Sequence, residues 1–117
     1  MTVKPSEICI SVVGLGYVGL PTALAFHDAG FRVFGIDISS KVVEKINSGE
    51  DPLSDESSEI VIPLGSDRWS ATTDFSEAIP ESDIVLITVP TPVDDSNNPD
   101  LSYVISASKS VIGSIDT

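Results

Sequence analysis

Three glycines near the amino end have a spacing that suits the binding of a diphosphate. Residues 14–19 read Gly-Leu-Gly-Tyr-Val-Gly, a G-x-G-x-x-G pattern. In a corner between a strand and a helix, Gly14 permits a tight turn, Gly16 lets a pyrophosphate approach the main chain, and Gly19 lets the helix pack closely against the strand. Free N–H groups and the positive end of the helix dipole then face the phosphates. The pattern therefore predicts a dinucleotide site.

The surrounding sequence decides how much weight these glycines carry, because glycine is common in turns of every kind. An apolar run precedes the pattern, a segment with helical spacing follows it, and a second apolar run ends in an acid. These are the neighbours that a dinucleotide-binding corner requires. The alternative interpretation is a glycine turn without a ligand.

Asp37 has the position expected of the residue that binds the adenosine ribose. It follows the second apolar run and lies 18 residues after Gly19, close to the usual spacing of about 20. A carboxylate there accepts hydrogen bonds from both ribose hydroxyls and repels a 2′-phosphate, which favours NAD over NADP. The alternative interpretation is a helix-capping aspartate. Lys41 and the hydroxyls of Ser39 and Ser40 lie nearby and offer groups that accommodate a phosphate.

A candidate for the cleft wall follows another apolar run, where residues 89–92 read Val-Pro-Thr-Pro. In parallel α/β sheets, ligands bind outside the carboxyl ends of the strands. A fixed turn that carries a hydroxyl would line the nicotinamide side of the cleft. A strand that is simply stopped by prolines is an equally good interpretation.

No catalytic or metal-binding residue is assigned. His27, in a helical segment, is expected to have a surface or packing role, and Cys9, in an apolar run, is expected to be a small core residue. The acidic segment 50–59 lacks the spacing of a calcium loop and is interpreted as a solvated loop. One cysteine leaves no thiol cluster for zinc.

The elements that must position these residues alternate along the chain. Apolar runs of buried-strand length lie at 7–14, 31–36, 69–72 and 83–89. Segments with helical spacing lie at 20–29, 39–49, 74–79 and 100–112. This alternation predicts an α/β fold, a Rossmann-type, doubly wound parallel sheet with strand order 3-2-1-4. The sequence ends where a fifth strand is expected, which leaves strand four as an open apolar edge.

The helical segments also predict caps and buried faces. Ser39, Asp74 and Asp100 are the expected amino-terminal caps, and Glu77 completes a capping box with Asp74. The expected buried residues are Leu20, Leu24 and Ala25 in the first helix, Val42, Val43 and Ile46 in the second, Phe75, Ala78 and Ile79 in the third, and Leu101, Val104, Ile105 and Ile112 in the last.

Composition limits the partners. Six basic against eighteen acidic residues among 117 give a formal charge of −12, which repels nucleic acid and anionic lipid and disfavours roles on either. Residues 8–26 lack charge, but three glycines and Pro21 interrupt them, so we expect a strand and a helix and no membrane span. A lone cysteine allows no internal disulfide and is compatible with a cytoplasmic location. The length fits one domain, 1–117.

Five blocks together resemble the UDP-glucose/GDP-mannose dehydrogenase family. They are Gly-Leu-Gly-Tyr-Val-Gly-Leu-Pro-Thr-Ala-Leu-Ala-Phe at 14–26, Gly-Ile-Asp-Ile at 35–38, Ala-Thr-Thr-Asp at 71–74, and Val-Pro-Thr-Pro at 89–92 followed by Asn-Pro-Asp-Leu at 98–101. The resemblance covers almost the whole chain in the family's order, and G-L-G-Y-V-G-L-P and V-P-T-P are far more specific than the bare glycine pattern. The V-P-T-P block is most similar to the branch that oxidises UDP-N-acetylhexosamines, with UDP-glucose enzymes as the alternative.

The resemblance implies a function and a set of cofactor contacts. Enzymes of this family oxidise the C6 alcohol of a nucleotide sugar to a carboxylate in two hydride transfers that reduce two NAD. Their catalytic cysteine, lysine and glutamate have no counterpart in this sequence, so the chain is expected to be an incomplete NAD-binding domain that is inactive alone. The positions that carry over are Gly14, Gly16, Tyr17, Val18 and Gly19 for the pyrophosphate, Asp37 and Lys41 for the adenosine ribose with Ile38 beside them, and Val89, Pro90 and Thr91 for the cleft wall.

For the full-length enzyme we expect a UDP-sugar substrate, a role in making polysaccharide precursors and a homo-oligomer. Two other functions are open. The same cofactor half suits a hydroxyacid or sugar-phosphate dehydrogenase, and a non-enzymatic module that senses the NAD/NADH ratio needs no catalytic residue. An open edge beside strand four argues against a complete sensing module, because such edges invite association.

Overall fold

The sheet forms with the order that the sequence predicts. The computed structural model describes residues 3–52 and 60–115. Its strands are β1 (Cys9–Val13), β2 (Arg32–Ile36), β3 (Trp69–Thr72) and β4 (Ile84–Ile87), and its helices are α1 (Gly19–Asp28), α2 (Ser40–Asn47), α3 (Phe75–Ala78) and α4 (Ser102–Gly113). Short 3-10 helices, Pro5–Glu7 and Ile79–Glu81, precede β1 and β4. All strand pairs are parallel in the order β3-β2-β1-β4, which confirms the predicted α/β fold.

The central strand β1 is buried along its whole length, which explains its nearly continuous apolar sequence. It pairs with β2 on one side and with β4 on the other. Successive side chains of a strand point to opposite faces. Ile10 and Val12 therefore pack with Ala23 of α1, whereas Val13 packs in a cluster that includes Ala107 of α4. Helices thus cover both faces of the sheet, and the corner after β1 lies between the two layers.

The predicted caps lie at or beside the starts of their helices. The hydroxyl of Ser39 accepts a hydrogen bond from the N–H of Val42 at 3.3 Å, which caps α2. The carboxylate of Asp100 accepts from the N–H of Ser102, the first residue of α4, at 2.9 Å. Hydrogen bonds from the hydroxyl and the N–H of Ser102 hold the pKa of the Asp100 carboxyl below its usual range.

The capping box predicted for α3 forms only in part. Asp74 is the cap, and hydrogen bonds from the hydroxyl and N–H of Ser76 hold the pKa of its carboxyl below the usual range. The carboxylate of Glu77 accepts from the hydroxyl of Thr72 at 2.9 Å, not from the N–H of Asp74. The N–H of Asp74 donates to the Thr72 hydroxyl instead. Thr72, which is not part of the capping-box pattern, thus links the main chain of Asp74 to the carboxylate of Glu77.

The first two helices bury their predicted faces with one exception. Leu20 and Leu24 of α1 are buried, and Val43 and Ile46 of α2 are buried in the same cluster, with Val42 packed against it. The exception is Ala25, which is exposed, while Ala23 lies in the core in its place.

The helix α4 forms where it was predicted, but the prediction of its buried face is largely wrong. Leu101, Ile105 and Ile112 are 51%, 51% and 68% exposed, and Val104 is half-buried. The buried residue of this helix is Ala107. Helical spacing shows which apolar residues share a side, but it does not show whether another element covers that side.

The strand β4 is an open apolar edge, as predicted. Among the strands that the structure describes, it pairs with β1 alone. Two of its four side chains are exposed, Ile84 at 47% and Ile87 at 36%, and the two between them are half-buried. Residues 53–59 of the predicted acidic loop lie outside the described residues. In the described ranges, no helix combines the length and the apolar character that crossing a membrane requires.

Candidate functional site

A cleft of about 650 Å³ lies at the carboxyl ends of β1, β2 and β4. Because these strands are parallel, the residues that follow them meet at one edge of the sheet. Nine of the eleven residues predicted to contact the cofactor line this cleft: Gly14, Gly16, Tyr17, Val18, Asp37, Ile38, Val89, Pro90 and Thr91. The other two, Gly19 and Lys41, do not.

Gly14 makes the turn out of β1 that opens the cleft. Its φ of 96° lies in the left-handed region, which glycine adopts without steric cost. Its N–H donates to the carbonyl of Ile36 in β2 at 2.7 Å. A Cβ built on Gly14 would lie 3.0 Å from the carbonyl oxygen of Thr88, after β4. The backbone conformation therefore favours glycine here, and a side chain would also crowd the Thr88 carbonyl.

Gly19 lies beneath this turn as the first residue of α1 and is buried. A Cβ built on it would overlap the carbonyl oxygen of Gly14 and the hydroxyl of Thr88. The helix start and the strand end thus approach as closely as the sequence pattern predicts, and Gly19 supports the corner without lining the cleft.

Gly16 has the opposite environment. It is exposed, and a Cβ built on it would meet no atom within 4 Å, so the main chain is open to the cleft. Within residues 3–52 and 60–115, no protein group accepts a hydrogen bond from the N–H of Gly16, Tyr17 or Val18. Unpaired N–H groups at the start of a helix form an anion site. The corner therefore fits the pyrophosphate of a dinucleotide.

The Asp37 carboxylate is held by two backbone groups. One oxygen accepts from the N–H of Leu15 at 2.9 Å, and the other accepts from the N–H of Ser39 at 2.9 Å. Each carboxylate oxygen has a further acceptor site, so two remain for the hydroxyls of a ribose. Since Ser39 is the cap of α2, the alternative of a helix-capping aspartate does not apply.

The prediction missed Thr88, which joins the end of β4 to the glycine corner. Its hydroxyl donates to the carbonyl oxygens of Gly14 and Val13, at 2.8 Å and 3.0 Å. Thr88 also lines the cleft. Its partner Gly14 is 74 residues away in the sequence, so no spacing rule could have joined them. The one signal was a hydroxyl inside the apolar run at 83–89.

The remaining walls are mostly apolar. Tyr17 and Ile38 are 77% and 78% exposed at the cleft, and Phe75 and Tyr103 are lining side chains that the sequence did not suggest. Apolar walls with a few polar groups are typical of cofactor sites. Lys41 lies on the first turn of α2, exposed and outside the cleft lining.

The two residues assigned to packing are buried and do not line the cleft. The Nε2 atom of His27 lies 2.7 Å from the hydroxyl oxygen of Ser66. Burial raises the pKa of the Cys9 thiol, so Cys9 stays protonated and is not a nucleophile near neutral pH. No group of three or more His, Cys, Asp or Glu side chains in the described ranges is arranged to hold a metal ion.

Comparisons with known proteins agree with this geometry. Residues 8–117 match the profile of the "UDP-glucose/GDP-mannose dehydrogenase family, NAD binding domain". The UDP-N-acetyl-D-mannosamine dehydrogenase of Pyrococcus horikoshii is 40% identical over 111 residues, which are 92% of this chain and 26% of that protein. The GDP-mannose 6-dehydrogenase of Pseudomonas aeruginosa is 38% identical over 97 residues, 81% of this chain and 22% of that protein.

The solved structures agree as well. A ternary complex of GDP-mannose dehydrogenase from Pseudomonas aeruginosa superposes with a TM-score of 0.82 and 34% identity, over 90% of this chain and 24% of that one. The chain thus spans about a quarter of the length of each of these relatives. These matches confirm the family and the NAD cofactor predicted from the sequence. The chain belongs to the UDP-glucose/GDP-mannose dehydrogenase family, as an NAD-binding domain of that family.

Proposed function

We propose that this chain supplies the NAD site of a nucleotide-sugar dehydrogenase that oxidises the C6 alcohol of a UDP-sugar to a carboxylate with two NAD. The observation that carries the proposal is the open corner at Gly16: residues 16–18 line a cleft that also holds Asp37, and their N–H groups have no acceptor among the described protein residues. A UDP-N-acetylhexosamine is the proposed substrate. Support for it comes from the Pyrococcus horikoshii relative, which is named for UDP-N-acetyl-D-mannosamine.

Each part of the cleft has a proposed contact. The N–H groups of residues 16–18 and the start of α1 bind the pyrophosphate, with Gly14 and Gly19 shaping the corner. Asp37 accepts from the adenosine ribose hydroxyls, with Ile38 and Lys41 beside it, and residues 89–91 line the nicotinamide side. NAD, when bound, accepts the hydride. The chain's own residues position that acceptor and exclude water along the apolar walls.

Replacement of Asp37 by alanine tests the ribose contact. Hydrogen bonds to a charged group contribute about 1.5–3 kcal/mol, so we expect NAD affinity to fall about 30-fold. Affinity for NADP should fall much less, because the loss of the carboxylate also removes its repulsion of the 2′-phosphate. The NAD/NADP affinity ratio, measured by calorimetric titration of both, therefore approaches one.

The matched control is Glu44→Ala, which removes one exposed acid of α2 outside the cleft. It should leave both affinities within about twofold. An unchanged NAD/NADP ratio in Asp37→Ala would remove the ribose assignment. Binding of neither dinucleotide by the unmodified chain would overturn the proposed function itself.

Alcohol oxidation needs a positioned base as well as a hydride acceptor. His27 and Cys9 are buried, and neither lines the cleft. We expect the 117-residue chain to produce no NADH from NAD and UDP-N-acetylmannosamine, measured by absorbance, although it binds NAD. Turnover by this chain alone would contradict the assignment as a cofactor domain.

We also propose that residues 1–117 act as one domain of a longer polypeptide that makes polysaccharide precursors in the cytoplasm as a homo-oligomer. The supporting observations are the quarter-length match to the relatives for the longer polypeptide and the single buried cysteine for the location. Cell fractionation and sedimentation of the longer polypeptide test location and assembly. A membrane-bound or monomeric protein would contradict this proposal.

A further inference from the structure

The peptide group between Gly14 and Leu15 is held on both sides by side chains from neighbouring strands. Thr88, after β4, donates its hydroxyl to the Gly14 carbonyl at 2.8 Å. Asp37, after β2, accepts from the Leu15 N–H at 2.9 Å. Because a trans peptide group is planar with its C=O and N–H pointing in opposite directions, these two bonds fix its rotation.

This peptide group matters because it comes directly before the residues whose N–H groups have no protein acceptor in the described ranges. Gly14 has a φ of 96°, and glycine has the widest choice of backbone conformation. Gly16 has no neighbour within 4 Å of a built Cβ. The direction of the N–H groups at 16–18 therefore depends on how the preceding peptide is turned. Donors that are already oriented bind an anion without a further ordering cost.

The Thr88 hydroxyl donates to two carbonyls, and the Gly14 carbonyl depends on it more than the Val13 carbonyl does. In the part of the chain that the structure describes, this hydroxyl is the one group that donates to the Gly14 carbonyl. The Val13 carbonyl, by contrast, also accepts from the Thr88 N–H at 2.8 Å. Loss of the hydroxyl would therefore free the Gly14 carbonyl, while Val13 stays paired.

We propose that Thr88 is a positioning residue for the diphosphate: its hydroxyl holds the Gly14–Leu15 peptide so that the N–H groups of residues 16–18 face the cleft. This inference rests on the proposed NAD binding at the cleft. It goes further because it gives Thr88, after β4, a role in binding the pyrophosphate. The hydroxyl has this role by holding the main chain at Gly14. The adenosine part depends on Asp37, which shares this peptide through the Leu15 N–H but is also held by the N–H of Ser39, so we expect it to change much less.

The test compares NAD with adenosine, which carries the ribose diol and no phosphate. Thr88→Val keeps the shape of the side chain and removes the hydroxyl. We expect about tenfold weaker NAD binding, the effect of one lost hydrogen bond, and adenosine binding within about twofold of the unmodified chain. Both affinities are measured by NMR titration. A packing role alone would weaken both ligands by the same factor, and that result overturns the proposal.

Thr88→Ser is the control, because it keeps the hydroxyl and loses one methyl group. It should bind NAD within about threefold of the unmodified chain, and a tenfold loss would show that the methyl group is what matters. If the valine variant does not fold, Thr88→Ala gives the same NAD and adenosine comparison. Failure of the unmodified chain to bind NAD would count against the proposed function, whereas wild-type NAD affinity in Thr88→Val counts against this inference alone.

Discussion

Gly19→Ala is expected to destabilise the fold by about 3 kcal/mol and to abolish measurable NAD binding. A Cβ on Gly19 would overlap the Gly14 carbonyl oxygen and the Thr88 hydroxyl. The carbonyl oxygen belongs to the backbone and the hydroxyl is hydrogen-bonded to it, so moving either group away from the new Cβ costs free energy. Forcing extra atoms into a packed site typically costs 1–3 kcal/mol, and moving α1 away from β1 also opens the anion site. Urea denaturation and NAD titration measure the two effects.

The matched control is Gly113→Ala, the same substitution at the end of α4. A Cβ there would meet no atom within 4 Å, and alanine is the better helix former by about 1 kcal/mol. This variant should be as stable as the unmodified chain or slightly more stable, with unchanged NAD affinity. Wild-type stability of Gly19→Ala would show that the helix and strand are not packed as described.

The residues that sequence reasoning placed well act over short distances. The glycine corner, its helix and the next strand all lie between Gly14 and Asp37. Each predicted residue there meets a local requirement, namely a tight turn, an open main chain, a close approach of helix and strand, or an acid at the end of a strand. Such requirements restrict residue type directly. The strand order also followed, because right-handed crossovers leave few arrangements for four alternating units. Local chemistry and handedness were sufficient for this part of the molecule.

What the sequence did not reveal depends on contacts between distant segments. Thr88 and Gly14 are 74 residues apart and meet only because β4 pairs with β1. The side chain of Tyr103 reaches the cleft from α4 for the same reason. The sequence correctly predicted that α4 has an apolar face but wrongly predicted that this face is buried, since Ile105 on it is exposed. Burial is a property of the partner element, and periodicity carries no information about the partner.

Substitution of the second glycine of the corner, Gly16, should also weaken NAD binding but, unlike substitution of Gly19, should leave the stability of the fold nearly unchanged. Gly16→Val is expected to weaken NAD binding about 100-fold or more. The free energy of unfolding should stay within about 0.5 kcal/mol of the unmodified chain, the usual range of surface substitutions. The new side chain enters open space, so no protein atom must move. That space is where the pyrophosphate approaches the N–H groups of residues 16–18, and a branched side chain there keeps the phosphates out of hydrogen-bonding range. The same two measurements, urea denaturation and NAD titration, apply.

Gly113→Val provides the comparison for this variant, because it adds the same side chain in open space outside the cleft. It should bind NAD as the unmodified chain does. A Gly16→Val variant that kept its NAD affinity would mean that the diphosphate does not lie against this main chain, and the proposed cofactor placement would be wrong. A variant that lost both stability and binding would mean that Gly16, like Gly19, serves packing. Only the separation of the two effects assigns Gly19 to the architecture of the corner and Gly16 to the ligand.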